Sequence, residues 1–119
     1  MVELRRGVVA VAATPFDTAN RVDVGSLRRY VTACVRRGVT GVAAPAMAGE
    51  AYELDRSERQ LVVETIIDAA DGRVTIVGGA TAATRDERLE SVRMLVELGC
   101  DVVLVHVPYE GMHDYADEY

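Results

Sequence analysis

The stretch from Val39 to Gln60 reads VTGVAAPAMAGEAYELDRSERQ, and it decides the fold of this chain. It begins with a short apolar run, Gly41–Ala44, passes through a loop of small residues, and leads by way of Gly49 and Glu50 into a segment that begins like a helix. A buried strand, a loop and a helix in this order form one βα unit, and ligands commonly bind at the carboxyl end of such a strand. The stretch therefore predicts an α/β fold and a ligand site together.

The same plan recurs along the whole chain. Four apolar runs rich in β-branched residues show little polar alternation, which is typical of strands covered on both faces of a parallel sheet. Their starts lie roughly thirty residues apart, which is the length of one βα unit. The predicted strands are Gly7–Ala13, Gly41–Ala44, Val74–Val77 and Asp101–Val107.

Three helices are predicted between the strands, because apolar residues recur there at helical spacing. The first covers Gly25–Arg37, while Ser57 with Gln60 and Thr84 with Glu87 have the spacing of capping boxes that begin the second and third. The residues expected to face inward are Leu27, Val31, Cys34 and Val35 in the first helix, Leu61, Val62, Thr65, Ile66 and Ala69 in the second, and Leu89, Val92, Leu95 and Val96 in the third. The helices are predicted to end at Gly38, at Asp71-Gly72 and before Gly99.

The last segment, Gly111–Tyr119, resembles the loop and first turn of a fourth helix, with Asp114 as its N-cap. Residues 1–119 are thus expected to form a single partial domain of four parallel strands. Its valine-rich edge strands would have nothing to pair with. We therefore expect either a piece of a larger barrel or two copies that complete one another.

Composition excludes several classes of function. Half of the 119 residues are apolar and the net charge is −6, which fits one α/β domain with a core. The absence of a basic stripe argues against nucleic acid, and no apolar run reaches the ~20 residues that span a bilayer, so neither partner is expected. Without a signal-peptide core the expected location is the cytoplasm. Cys34 and Cys100 have no metal or redox spacing, and both are predicted to be buried thiols.

The thirteen basic residues are all arginine. Arginine keeps the charge of lysine but stays protonated, so it does not act as an amine nucleophile. The chain therefore offers no side-chain amine for covalent catalysis.

Short motifs in a fixed order resemble the dihydrodipicolinate synthase and N-acetylneuraminate lyase family of class I aldolases. They are Thr14-Pro15-Phe16-Asp17, Arg37-Gly38-Val39, Gly49-Glu50, Leu54 with Ser57-Glu58-Arg59, Gly72-Arg73 and Val107-Pro108-Tyr109. The resemblance implies that the chain is the N-terminal half, about four βα units, of a (β/α)₈ TIM barrel. It also implies a lyase that forms a Schiff base between a lysine and pyruvate or a related 2-keto acid. That lysine normally lies on the sixth strand, and this chain contains no lysine.

The resemblance also implies a substrate-binding loop. Relatives carry Gly-Thr-Thr-Gly-Glu where this chain has Ala46-Met47-Ala48-Gly49-Glu50, so two hydroxyls are lost while backbone donors at Ala48 and Gly49 are expected to bind the carboxylate. Thr14, at the end of the first strand, is expected to hydrogen-bond near the site. The alternatives are structural: a turn that needs positive φ at Gly49, and a buried acceptor at Glu50 that ties the loop down.

Two further candidates follow the fourth strand. In the family, the first threonine of the loop joins a proton relay with the second tyrosine of a Pro-Tyr-Tyr motif, and these positions are Met47 and Glu110 here. Glu110 is a candidate catalytic acid or base, because apolar surroundings raise a carboxyl pKa, although a solvated loop glutamate is the alternative. Tyr109 keeps its family position and is either catalytic or a packing residue at the barrel mouth.

Other polar motifs predict less. Gly78-Gly79-Ala80-Thr81 can approach a ligand but is not a dinucleotide fingerprint, so no cofactor is expected. His106 and His113 lack regular metal spacing, and we expect a packed ring and a surface ring rather than a metal site.

The sequence leaves three hypotheses about the protein. The first is the N-terminal part of a lyase or aldolase of the family, inactive by itself, whose whole protein binds a small 2-keto acid and forms a homo-oligomer, either a tetramer or a dimer. The second is a non-catalytic half-barrel that dimerises and keeps a ligand pocket. The third is an unrelated doubly wound sheet, which Thr14-Pro15-Phe16 disfavours because it supplies neither clustered acids nor a phosphate loop.

Overall fold

The computed structural model describes residues 5–106, which form a four-stranded sheet with helices packed on one face. The elements are β1 (Val9–Val11), α1 (Val24–Arg36), β2 (Gly41–Ala44), α2 (Arg56–Ala70), β3 (Thr75–Ala80), α3 (Arg85–Leu98) and β4 (Val102–Val105). The strands lie in the order β1-β2-β3-β4, and each is parallel to the next. The predicted alternation of strands and helices is confirmed.

The core lies between the sheet and its helices. Alternate residues of a strand point to opposite faces, and Ala12, Val42 and Ile76 point to the helical face. There they pack against Leu27 and Val31 of α1, with α2 covering the centre of the sheet. The fully buried members of this core include Leu27, Val31, Val42, Val62 and Ile66.

The opposite face of the sheet is open within residues 5–106. Val9, Val11 and Leu104 alternate with the core residues, and their side chains are 45%, 48% and 53% exposed. The expectation that the strands are covered on both faces is therefore wrong for the edge strands of the described part. The expectation was drawn from side-chain character, because these residues are as apolar as buried strand residues. Nothing among the described residues covers them.

Helix α2 begins two residues earlier than its sequence pattern predicted. Asp55 is the N-cap: its carboxylate accepts a hydrogen bond from the Glu58 backbone N–H at 2.8 Å, and its own N–H donates to the Glu58 carboxylate at 3.0 Å. Ser57 has the same spacing to Gln60 but lies inside the helix. An aspartate at the earlier position competes successfully because its charge also favours the helix N-terminus. The box at Thr84 and Glu87 is confirmed.

The inward faces of α2 and α3 are shifted from those predicted. Leu61 is 38% exposed, whereas Val63 is buried, because α2 packs between α1 and α3 as well as on the sheet. In α3, Leu89 and Val96 are exposed. Arg88 is buried in their place and donates hydrogen bonds to the Ala82 and Ala83 carbonyls.

The two cysteines are half-buried rather than buried. Cys100 packs against a second buried cluster, which consists of Val63, Ala80, Met94 and Leu95. Burial, and to a lesser degree the charge of Asp101, raises the pKa of the Cys100 thiol to about 11. The thiol is therefore protonated at neutral pH and a poor nucleophile.

Among residues 5–106, none of the helices combines the length and the hydrophobicity that crossing a bilayer requires.

Candidate functional site

The loop at residues 46–50 leaves the carboxyl end of β2 and folds into a single 3₁₀ turn, Met47–Gly49. Within the turn, the N–H of Gly49 donates to the Ala46 carbonyl at 2.9 Å and the N–H of Glu50 donates to Met47 at 3.1 Å. The 46–50 loop is thus held in one backbone shape by its own hydrogen bonds.

Gly49 is required by close packing and not by a positive φ. An added Cβ would lie 2.8 Å from the Ala12 carbonyl oxygen and 3.2 Å from the Thr14 hydroxyl. The left-handed residue is Glu50, with φ of 56°, and its side chain is exposed. The expectations of positive φ at Gly49 and of a buried acceptor at Glu50 are both wrong, because the turn places the chain reversal one residue later.

Thr14 anchors the loop from the neighbouring strand. Its buried hydroxyl donates a hydrogen bond of 2.6 Å to the Gly49 carbonyl. Thr14 therefore does lie beside the loop, as predicted. Its hydroxyl is engaged by the backbone and holds the loop against the end of β1.

The backbone donors of the loop differ in availability. The N–H of Gly49 is used within the turn, so it is not the ligand donor that the sequence suggested. The N–H groups of Met47 and Ala48 have no hydrogen-bond partner within residues 5–106. Any carboxylate bound by this loop would therefore be met by the N–H of Ala48 and its neighbour.

The carboxyl ends of the strands enclose a hollow of about 370 Å³. We call it the strand-end hollow, and its lining residues are Val11, Pro45, Ala46, Met47, Ala48, Tyr52, Gly79, Thr81, Leu104 and His106. Of the predicted substrate-binding residues, Met47 and Ala48 line it. Thr14 and Gly49 do not line it but support the loop from behind. Tyr109 and Glu110 lie outside the described residues.

Gly79 lets the loop approach the sheet. A Cβ on this residue would overlap the carbonyl oxygen of Pro45, the residue that links β2 to the 46–50 loop. The sequence placed Gly78 and Gly79 after the third strand, whereas β3 extends through them to Ala80. A small residue inside the strand is what allows Pro45 to pack directly over it.

Three polar residues of the hollow were not predicted as a group: Tyr52, Thr81 and His106. His106 was expected to be a packed ring, and this is wrong, because the residue is exposed and lines the hollow. A signal was present in the sequence. His106 lies two residues after Leu104, so strand alternation places both on the open face.

A metal or acidic centre is not evident in the described part. Within residues 5–106, no three His, Cys, Asp or Glu side chains come together in an arrangement suited to a metal ion. The hollow is instead largely apolar, with hydroxyl, imidazole and backbone groups at its rim. That combination suits a small organic ligand whose polar groups are bound at the rim.

Replacing Thr14 by valine is expected to lower the free energy of unfolding by about 1–3 kcal/mol. Valine keeps the shape but leaves the Gly49 carbonyl without its buried donor. Urea denaturation followed by circular dichroism measures the change. Thr14→Ser keeps the hydroxyl and should lose less; equal losses in both variants would contradict the anchoring role.

Known proteins with similar sequences support the fold described above. The sequence profile of the dihydrodipicolinate synthetase family matches residues 4–118. A 4-hydroxy-tetrahydrodipicolinate synthase of Methanosphaera stadtmanae is 33% identical over 103 residues, which cover 87% of this chain and 35% of that protein. An N-acetylneuraminate lyase of Citrobacter koseri is 29% identical over 117 residues, covering 96% of this chain and 39% of that protein.

The fold has close counterparts among solved structures. A crystal structure of a dihydrodipicolinate synthase superposes with a TM-score of 0.87 at 28% identity, covering 94% of this chain and 38% of that one. The chain thus spans little more than a third of the length of the relatives that it matches. The superposition confirms the expectation of the N-terminal half of a TIM barrel.

Proposed function

The chain belongs to the dihydrodipicolinate synthetase family, and we propose from this that the whole protein containing it is a lyase or aldolase acting on pyruvate or a related 2-keto acid. In that protein a lysine on a later strand forms a Schiff base with the keto group, which then serves as an electron sink for making or breaking a carbon–carbon bond. The 119 residues by themselves, which contain no lysine, are inactive.

The observation that carries this proposal is the position of the strand-end hollow. It opens at the carboxyl ends of parallel strands, where active sites of (β/α)₈ barrels are built. The 46–50 loop borders it with Met47 and Ala48. The same loop occupies the place of the carboxylate-binding loop to which the sequence is similar.

The 46–50 loop binds the substrate carboxylate through backbone donors. The N–H groups of Met47 and Ala48, which have no partner within residues 5–106, meet the carboxylate oxygens, while Thr14 and the buried Gly49 hold the loop in shape. Backbone donors survive the loss of both loop hydroxyls, since they do not depend on the side chains present.

Proton transfer is assigned to the segment after β4. We propose that Tyr109 contacts the substrate and that Glu110 serves as the acid or base in place of a relay tyrosine. Met47, whose side chain is 71% exposed at the hollow, occupies the other altered relay position. Two positions of one proton relay therefore differ from the family pattern. We expect the proton transfers of this protein to differ from those of its relatives, while formation of the Schiff base with the keto acid stays the same.

The coding sequence tests the proposal most directly. Read in frame beyond Tyr119, it should encode further βα units and a lysine on the sixth strand of the barrel. A reading frame that closes without a lysine would contradict the Schiff-base mechanism.

The open face of the sheet favours a second candidate, a half-barrel that dimerises without catalysis. Val9 and Val11 on β1 and Leu104 on β4 are exposed apolar residues on the edge strands of the sheet that residues 5–106 form, and a second copy would cover them. Equilibrium sedimentation of the 119-residue chain separates the two, since a soluble monomer would exclude the dimer. In the lyase reading, the whole protein is a cytoplasmic homo-oligomer.

A further inference from the structure

His106 lies at the rim of the strand-end hollow, which the 46–50 loop also borders. It follows β4 directly, on the same side of the chain as Leu104, which β-pairing aligns with Gly79. Its ring is exposed and lines the hollow together with Met47 and Ala48. The imidazole and the 46–50 loop are therefore neighbours of the same ligand space.

The hollow offers few groups that can bind a polar part of a ligand. Most of its lining consists of apolar or small residues, and its polar side chains are Tyr52, Thr81 and His106. Among these, His106 follows the open-face residue Leu104, and its imidazole N–H can donate a hydrogen bond to a carboxylate. The lining formed by residues 5–106 contains no carboxylate.

A cation lies behind one wall of the hollow. The Arg59 guanidinium donates hydrogen bonds to the Thr81 carbonyl at 2.6 Å and to the Leu54 carbonyl at 3.1 Å. This fixes a positive charge next to a lining residue, on a chain whose net charge is −6. An anionic group in the hollow would therefore be favoured on this side.

We propose that His106 contacts the substrate and selects 2-keto acids that carry a second carboxylate. The first carboxylate binds at the backbone of the 46–50 loop, and the imidazole donates a hydrogen bond to the second. The assignment rests on the proposed function, since it presumes a 2-keto acid in the hollow.

The test compares three probes in the whole protein: pyruvate, 2-oxoglutarate, and 2-oxopentanoate, which matches 2-oxoglutarate in length but ends in a methyl group. Calorimetric titration gives the Kd of each. We expect His106→Leu to weaken 2-oxoglutarate by about 10-fold to 100-fold, the loss typical of a charge-assisted hydrogen bond. Pyruvate and 2-oxopentanoate should bind as before. His106→Gln, which keeps an N–H donor, should give an intermediate loss for 2-oxoglutarate.

Arg36→Gln is the matched control, because it removes one positive charge from an exposed site. Arg36 lies in the last turn of α1, far from the carboxyl ends of the strands. It should leave all three Kd values unchanged. An equal loss for all three probes in His106→Leu, or no selective loss for 2-oxoglutarate, would overturn the assignment. Borohydride trapping with pyruvate reports separately on the Schiff base, so failure of the proposed function is distinguishable from failure of the His106 assignment.

Discussion

Gly79→Ala is expected to lower the free energy of unfolding by at least about 3 kcal/mol, the upper end of the usual cost of overpacking a core. The added methyl group would overlap the Pro45 carbonyl oxygen, and both partners are backbone, so no side chain can move aside. Gly79 is also buried inside the central strand β3, where backbone shifts disturb two neighbouring strands. Urea denaturation, or loss of soluble protein where folding fails, measures the effect.

Gly25→Ala is the matched control, because the same methyl group is added in the first turn of α1. Its nearest contacts there would be ordinary ones, 3.5 Å to an Arg29 nitrogen and 3.6 Å to an Asp23 oxygen. Alanine in a helix is more favourable than glycine, so the expected change is a gain of about 0.5–1 kcal/mol. If both variants shifted stability in the same direction, the close approach of Pro45 to Gly79 would be incorrect.

The repeating plan of the fold was predictable because it depends on local patterns. Apolar runs such as Gly41–Ala44 and the helical spacing of Leu27 and Val31 are consequences of burial on a sheet and a helix. These patterns do not depend on the rest of the chain. The order of strands and helices follows from them directly.

Element ends and helix faces were less predictable, since they depend on competing partners. Asp55 and Ser57 both begin a capping-box pattern, and only the assembled loop decides between them. Leu89 and Val96 are apolar and regularly spaced. They are exposed because Arg88 is buried instead. Its guanidinium donates hydrogen bonds to the Ala82 and Ala83 carbonyls, and a sequence pattern does not reveal these acceptors.

The candidate site was predictable in its position and less so in its detail. Met47 and Ala48 line the strand-end hollow, as expected for a loop that follows a parallel strand. The roles of Gly49 and Thr14 depend on a contact between β1 and the loop, 35 residues apart in sequence. His106 was misjudged because strand alternation, which places it on the open face with Leu104, was not applied to it.

Borohydride reduction in the presence of pyruvate is expected to give an all-or-none contrast between the 119-residue chain and the whole protein. An imine needs an unprotonated amine, and the basic side chains of the chain are all arginine, which stays protonated. The isolated chain should therefore carry no reduced pyruvyl group except at its N-terminal amine. The whole protein should be labelled on one lysine, as intact mass and peptide mapping would show.

The N-terminal amine supplies the control that separates chemistry from background. Its pKa is about 8, so slow labelling occurs at neutral pH whether or not the chain is folded. Labelling that is unchanged in urea, and abolished by N-terminal acetylation, would mean that the folded chain does not activate an amine. A pyruvyl adduct on an internal residue of the folded chain would contradict this, because it would require a nucleophile that the family's lysine chemistry does not use.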